Sequence, residues 1–305
     1  MSGLQVLLIA GTHGNEINAP WLFDQWNKSP ELFHNNDLEV FKVLGNPEAI
    51  KVCKRYLHRD LNRSFLTELF NDKNIKDYEV LRAKELLLNY GLRGSNSCQI
   101  AIDLHSTTSS MGSSLVVYGR RYADLAIASL LQSRLGLPIY LHEGDNIQKG
   151  FLVESWPCGL VIEIGPVAQG MLQSSIINQT RVAVEVCLEE LVKIKSGIAC
   201  FPKRLVIHRH IKSIDFPRTK DGHIDSLVHP QRQGSDWLPI SKGAPLFAKL
   251  DGSIESFEED ESLVPVFINE AAYAEKNIAM SLAKREIWEV TNEWKDAIND
   301  LLIID

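Results

Sequence analysis

Four clusters in the sequence combine residue types that can do chemistry. In the first, GTHGNE at residues 11–16, His13 and Glu16 stand three residues apart, so one turn carries an imidazole and a carboxylate toward the same point. Both are good zinc ligands, and the flanking glycines let the backbone turn tightly around such a site. In the second, DLHSTT at residues 103–108, His105 would complete a His, Glu, His set and leave a fourth position for water, the arrangement of a catalytic zinc. Asp103 lies two residues earlier on the same strand face, where it can hold the far ring nitrogen of a ligating histidine. Each cluster alone also reads as an ordinary loop histidine and carboxylate; two of them at strand ends favour a metal.

The third cluster, RYLHRDLNR at residues 55–63, packs several rigid donors into one irregular segment. A guanidinium matches a carboxylate in bidentate fashion, so the segment reads as an anion clamp, or otherwise as a solvated surface. One of its arginines can also polarise a scissile carbonyl. The fourth is Glu163 in IEIGP at residues 162–166, a carboxylate inside an apolar strand. Such a group is expensive to bury without a partner or a task. Beside a metal it suits a proton acceptor that later serves the leaving amine, and a buried ion pair is the alternative. Of the remaining histidines, His34, His58, His142, His208, His210, His223 and His229, only His208 and His210 share a predicted strand face, which makes them weaker metal candidates.

The elements that must position these residues are legible from hydrophobic period. Short Val, Ile and Leu runs at residues 6–10, 38–44, 100–104, 115–118 and 160–164 suit strands buried on both faces. Helical spacing of apolar residues covers 17–26, 78–89, 122–135 and 174–193, with Gly91 and Gly136 where C-caps belong. The alternation predicts an α/β fold with a largely parallel core sheet, whose strand ends carry the site. Beyond about residue 200 come short β-like pieces at 204–211, 244–250 and 263–268 between Asp-Gly turns. They predict domains of 1–200 and 201–305, the second smaller and mainly β, with a helical tail over 281–304.

The chain is 45% hydrophobic and 23% charged over 305 residues, ordinary for a globular protein. A net charge of -7 argues against nucleic acid, which needs concentrated positive charge. No stretch reaches the roughly 18 uncharged apolar residues that span a bilayer, so no membrane partner is expected. The first residues lack the basic start and cleavage site of a secretory leader. The five cysteines form no CxxC pair and read as free thiols, giving the expectation of a cytoplasmic protein. The apolar positions of 174–193 suit a core or a subunit interface equally, so a homo-oligomer is compatible with the sequence.

Together these pieces resemble the aspartoacylase and succinylglutamate desuccinylase family, related to zinc carboxypeptidases. The motifs are GTHGNE at 11–16, GNP at 45–47, RYLHRDLNRSF at 55–65, DLHSTTSSMG at 103–112, IEIGP at 162–166, DW at 236–237 and PVFINEAAYAEK at 265–276. The resemblance implies a zinc-carboxypeptidase-like, mostly parallel or mixed sheet flanked by helices, with a smaller mainly β domain at the pocket mouth. It implies one zinc per subunit on His13, Glu16 and His105, with Glu163 as general base and acid in contact with substrate. Arg55 would meet the oxyanion, Asn62 and Arg63 the substrate's α-carboxylate, and Tyr273 the pocket mouth, while Asp60 supports the clamp or a metal ligand.

The implied reaction is hydrolysis of the amide of a small anionic N-acyl amino acid, foremost N-acetyl-L-aspartate to L-aspartate and acetate. One departure bears on the substrate. Family members that prefer N-acetylaspartate carry a Tyr and an Arg shortly before the catalytic Glu, whereas residues 146–157 here contain neither and Lys149 is their one cation. An aminoacylase for aromatic, apolar or thioether amino acids is therefore the alternative enzyme. A non-catalytic metal- or anion-binding protein is the alternative outside enzymes. A carboxypeptidase fits less well, since the second domain should restrict the pocket to small substrates.

Overall fold

The computed structural model describes residues 4–35, 38–145 and 148–301. Twelve strands run in the order β1 (Gln5–Ala10), β2 (Glu39–Leu44), β3 (Ile100–Ser106), β4 (Ser114–Tyr118), β5 (Ile139–His142), β6 (Cys158–Ile164), β7 (Arg204–Ile214), β8 (Leu227–Val228), β9 (Pro245–Ala248), β10 (Ile254–Ser256), β11 (Val264–Val266) and β12 (Met280–Glu289). Between and after them lie α1 (Asn18–Lys28), α2 (Pro47–Lys51), α3 (Thr67–Asn71), α4 (Tyr78–Tyr90), α5 (Tyr122–Leu135), α6 (Ser174–Lys195) and α7 (Asn292–Asp300). None of the described helices is long and apolar enough to cross a membrane.

Nine strands form one mixed sheet in the order β11-β12-β7-β5-β4-β6-β3-β1-β2. Strands β2, β1, β3 and β6 are parallel, the direction reverses between β6 and β4, and β4, β5 and β7 are again mutually parallel. The central strands are buried on both faces, as their apolar runs require. In β1, Val6, Leu8 and Ala10 face a core shared with Leu22, Trp26, Leu125 and Leu188 of the helices. Leu7 and Ile9 face the opposite side, where Tyr118, Tyr140, Phe151 and Trp156 pack. That second face carries the site. Helix α4 packs on part of it through Ala83 and Leu86, and loops together with the C-terminal segment cover the rest.

The C-terminal segment does two things. Strands β7, β12 and β11 extend the large sheet, while β8, β9 and β10 make a separate three-stranded sheet over a small core of Ile240, Phe247, Phe257 and Met280. The mainly β character expected there holds. The expected helical tail does not: Met280–Glu289 is a strand paired antiparallel with β7 over ten positions, and the helix begins only at Asn292. Its Ala, Lys, Arg and Glu content favours a helix locally, but a partner strand some 70 residues earlier in the chain decides the outcome. Residues 302–304 of that expected tail lie outside the described ones. Two smaller differences follow the same logic. Strand β2 is an edge strand and half-exposed, and β5 was not foreseen because four residues after Pro138 are too few to show a period.

One buried side chain ties this frame to the clamp. Glu79, in the first turn of α4 and fully buried, accepts hydrogen bonds from the backbone N–H of Leu57 (2.7 Å), His58 (3.1 Å) and Arg59 (3.3 Å) and from the Asn46 side chain (3.1 Å). Replacing Glu79 with Ala strands those donors, each an uncompensated burial cost. Urea unfolding of Glu79→Ala is expected to show a loss of about 2–5 kcal/mol; an unchanged midpoint would mean that water substitutes for the carboxylate at no cost.

Candidate active site

The loop after β1 folds back within two residues. Gly11 takes a positive φ of 67°, and Gly14 lies so close to the Ala49–Ile50 backbone that a Cβ would fall 2.2 Å from the Ala49 carbonyl carbon. Gly14 N–H donates to the Arg55 carbonyl at 3.1 Å, which binds the His13 loop to the start of the clamp. From β3, Asp103 and His105 project onto the same face, and His105 is paired in register with Glu163 of β6.

His13, Glu16 and His105 converge, with candidate ligand atoms all within 4.8 Å of one another. The two Nδ1 atoms stand 3.1 Å apart, and each lies near a different oxygen of Glu16, at 2.6 and 3.1 Å. Two nitrogens bound to one tetrahedral zinc are about 3.3 Å apart, given Zn–N bonds of about 2.0–2.1 Å. The far nitrogens are held by carboxylates: His13 Nε2 by Asp60 at 3.0 Å and His105 Nε2 by Asp103 at 2.7 Å. Both rings are thereby turned with Nδ1 toward the shared point, as metal-ligating histidines require. Asp103 is itself oriented by the Thr12 hydroxyl at 2.7 Å. The donor set fits zinc. His208 and His210 do not join a metal group among the described residues: His208 packs on Trp237, and His210 Nδ1 bonds the Tyr140 hydroxyl at 2.7 Å.

Electrostatics follow from crowding charges away from water. Burial pushes the Glu16 carboxyl up, but the charges and hydrogen bonds of His13 and His105 outweigh it and hold it well below the usual range. Asp60 behaves alike, with burial opposed by His13 and Arg55. Among the described residues no imidazole is hydrogen-bonded to Glu163. Burial, reinforced by Glu16 and Glu270, pushes its carboxyl up to about 8 against the pull of His105 and Arg55.

The clamp closes the opposite wall. Arg55 reaches Glu16 at 3.4 Å and Asp60 at 3.3 Å, and its buried Nε has no partner among the described residues. Arg63 donates to the Asn62 carbonyl at 2.7 Å and to Gln148 Oε1 at 2.8 Å, lies 3.9 Å over the Phe151 ring, and also keeps an unpartnered Nε. Asn62 Oδ1 accepts from Leu152 N–H at 2.8 Å, so its role includes holding the loop before β6. Tyr273 stands against Phe267. A cleft is lined by His13, Glu16, His105, Arg55, Asn62, Arg63, Glu163 and Tyr273 among others. Asp60 and Asp103 are behind it, each holding an imidazole. Lys149 is exposed and does not line the cleft, so it supplies no second cation there.

Sequence reasoning missed the inner wall, where Tyr118, Tyr140, His142 and Phe151 line the cleft. It also missed Glu270, whose Oε2 accepts the N–H of Thr108 (2.8 Å) and Ser109 (3.0 Å) and the Thr107 hydroxyl, and so docks the C-terminal segment on the strand end beyond His105. Lys276 was missed too. It stands 3.9 Å from Asp60, and burial lowers its ammonium to about 8. The signal for both was the 265–276 motif, read only for its tyrosine.

A buried His, Glu, His group at strand ends, a carboxylate of raised pKa beside it and arginines opposite define a metal-dependent hydrolase on an α/β scaffold. Comparison with known proteins takes this one step further. Residues 2–191 match the succinylglutamate desuccinylase/aspartoacylase catalytic domain and residues 203–285 the AstE/AspA barrel-sandwich hybrid domain. The chain therefore belongs to the aspartoacylase/succinylglutamate desuccinylase family, and it is a zinc-dependent hydrolase. It is 59% identical over 302 residues, covering 99% of both chains, to a protein of Prochlorococcus marinus (strain NATL2A) named "Probable aspartoacylase". A Synechococcus sp. (strain CC9605) protein of the same name is 52% identical over 302 residues. Among solved structures, murine aminoacylase 3 superposes with a TM-score of 0.86 at 31% identity, covering 95% of this chain and 98% of that one. A Vibrio parahaemolyticus succinylglutamate desuccinylase at 16% identity shares the fold, with a TM-score of 0.60.

Asp103 orients His105 without touching the metal position itself. Asp103→Asn is expected to weaken metal affinity about 10–100-fold, read by equilibrium dialysis; unaltered affinity would show that the Asp103 hydrogen bond leaves the ligand's basicity untouched.

Proposed function

We propose that the protein hydrolyses the amide bond of an N-acyl-L-amino acid, using one zinc per chain on His13, Glu16 and His105. The observation that carries this reading is Glu163: a carboxylate of raised pKa set in register beside His105, with Arg55 and Arg63 across the cleft. Bound zinc would supply Lewis acidity for water and the acyl carbonyl, and its charge would draw the Glu163 proton equilibrium back down. Glu163 takes a proton from water and delivers it to the departing amine. Arg55, within reach of Glu16 and Asp60, faces the carbonyl oxygen as it becomes anionic. Arg63, with Asn62 beside it, takes the α-carboxylate; its planar fork is held ready by Gln148 and Phe151. Lining aromatics and the C-terminal segment exclude bulk water, which strengthens each of these interactions.

The names of the cyanobacterial relatives support N-acetyl-L-aspartate as substrate, cleaved to acetate and L-aspartate. A second reading rests on the inner wall. Arg55 and Arg63 are the Lys or Arg residues that line the cleft among the described ones, and both are engaged by the carbonyl and the α-carboxylate in this scheme. A second carboxylate on the substrate would face aromatic rings, with Asp145 acting on the same histidines. An N-acyl amino acid with an uncharged side chain suits that wall better.

Release of free amine from N-acetylaspartate, N-acetylglutamate, N-succinylglutamate and apolar N-acetyl amino acids tests the reading. Turnover concentrated on one acyl amino acid is expected, and absence of turnover on all of them would leave a metal-binding protein without this activity. Glu163→Gln should lower kcat by about 10²–10⁴-fold while zinc content stays at one per chain; retention of most of kcat would remove Glu163 from the proton path.

A further inference from the structure

His142 is a titratable residue of the cleft wall to which the scheme above gives no task. It ends β5, is 8% exposed, lines the cleft, and its Nε2 has no hydrogen-bond partner among the described residues. The imidazole does bond the Gln148 backbone. Because Nε2 is unpartnered, Nδ1 is the nitrogen that donates to that carbonyl, and this sets the tautomer: Nε2 carries a lone pair. Such an atom, buried and unpaired, is costly unless something in the cleft satisfies it.

The neighbours keep the ring neutral. Burial, the adjacent His210 (ring centroids 5.2 Å apart) and Arg63 push His142 down to about 3, and Asp145 opposes them only in part. Phe151 lies between, with its ring 5.1 Å from His142 and 3.9 Å beneath the Arg63 guanidinium. His142 is therefore separated from the Arg63 side of the clamp by the Phe151 ring.

Register gives the direction of the substrate. Glu163 pairs with Ser114 and His142 with Tyr118, so all four residues, with Val116 between, lie on one face of the sheet. The two ends are two strands and four residues apart, on the order of 15 Å at the Cα atoms. Glu163 and His142 both line the cleft, so a substrate whose amide meets Glu163 can point its side chain toward His142.

We propose that His142 reads the substrate's side chain: its Nε2 accepts a hydrogen bond from an uncharged, donor-bearing side chain, a carboxamide or a phenol, of the N-acyl amino acid. The proposal rests on the amide-hydrolase reading and chooses within it. A carboxylate side chain offers no donor and meets a lone pair. An apolar one leaves Nε2 unpaired, and a site built to hydrogen-bond a substrate group rejects the analogue lacking it.

The test is kcat/KM of the zinc-loaded protein on two matched pairs, N-acetylasparagine against N-acetylaspartate and N-acetyltyrosine against N-acetylphenylalanine. The donor-bearing member of at least one pair is expected to win by about tenfold or more. His142→Leu should collapse that ratio toward unity, and His142→Gln, whose amide oxygen still accepts, should restore part of it. Preference for N-acetylaspartate, or a donor preference that both variants keep, overturns the proposal while leaving amide hydrolysis intact. No turnover on any of the four or on the wider panel removes the hydrolase reading itself, and the proposal with it.

Discussion

Three carboxylates, Glu16, Asp60 and Asp103, are buried within hydrogen-bond distance of two imidazoles, and most of the catalytic half is arranged around keeping that negative charge satisfied. Unpaired, a buried carboxylate costs several kcal/mol, so each here is matched. Asp103 has a hydroxyl and an imidazole, and Asp60 has Asn62 N–H, Arg55 and an imidazole. Glu16 takes the Ser106 N–H at 2.9 Å, Arg55 and both rings. The set is anionic enough to hold a divalent cation, and its back row holds both imidazoles with Nδ1 toward the shared point.

The same constraint explains why the clamp belongs to the metal group rather than merely neighbouring it. Asp60 touches His13 with one oxygen and Arg55 with the other, so a ring of the candidate metal group and the Arg55 guanidinium share one carboxylate. Glu79 holds the backbone of that segment from behind, through N–H groups that no regular element uses. Across the cleft the C-terminal segment is anchored in the same manner, by Glu270 on residues 107–109 and by Asp236 on the Ser109 hydroxyl at 2.8 Å. Buried carboxylates accepting backbone and hydroxyl donors are thus the joints of the site on both sides.

Because β7, β12 and β11 continue the sheet that bears His105 and Glu163, the C-terminal half shares a hydrogen-bonded frame with the catalytic one. Phe267 and Tyr273 are placed in the cleft by that frame, so the shape of the inner wall depends on pairings between distant parts of the chain.

The catalytic chemistry was legible in the sequence because it sits on short-range devices: a three-residue His–Glu spacing, a strand face shared by Asp103 and His105, a carboxylate interrupting an apolar strand, and donors dense in residues 55–63. The strands and helices of the first half were legible for the same reason, since each buries a face whose period shows in a dozen residues. What the tertiary structure alone decided is which residues meet across the sheet. His142 and Tyr140 on β5, Tyr118 on β4 and Glu270 beyond β11 have no local signal, because sheet order and the reversal between β6 and β4 bring them to one cleft. Residue types and local spacing thus determined the reaction class, and the long-range register of the sheet determined the inner wall of the cleft, since a strand's neighbours are set by partners far away in the chain.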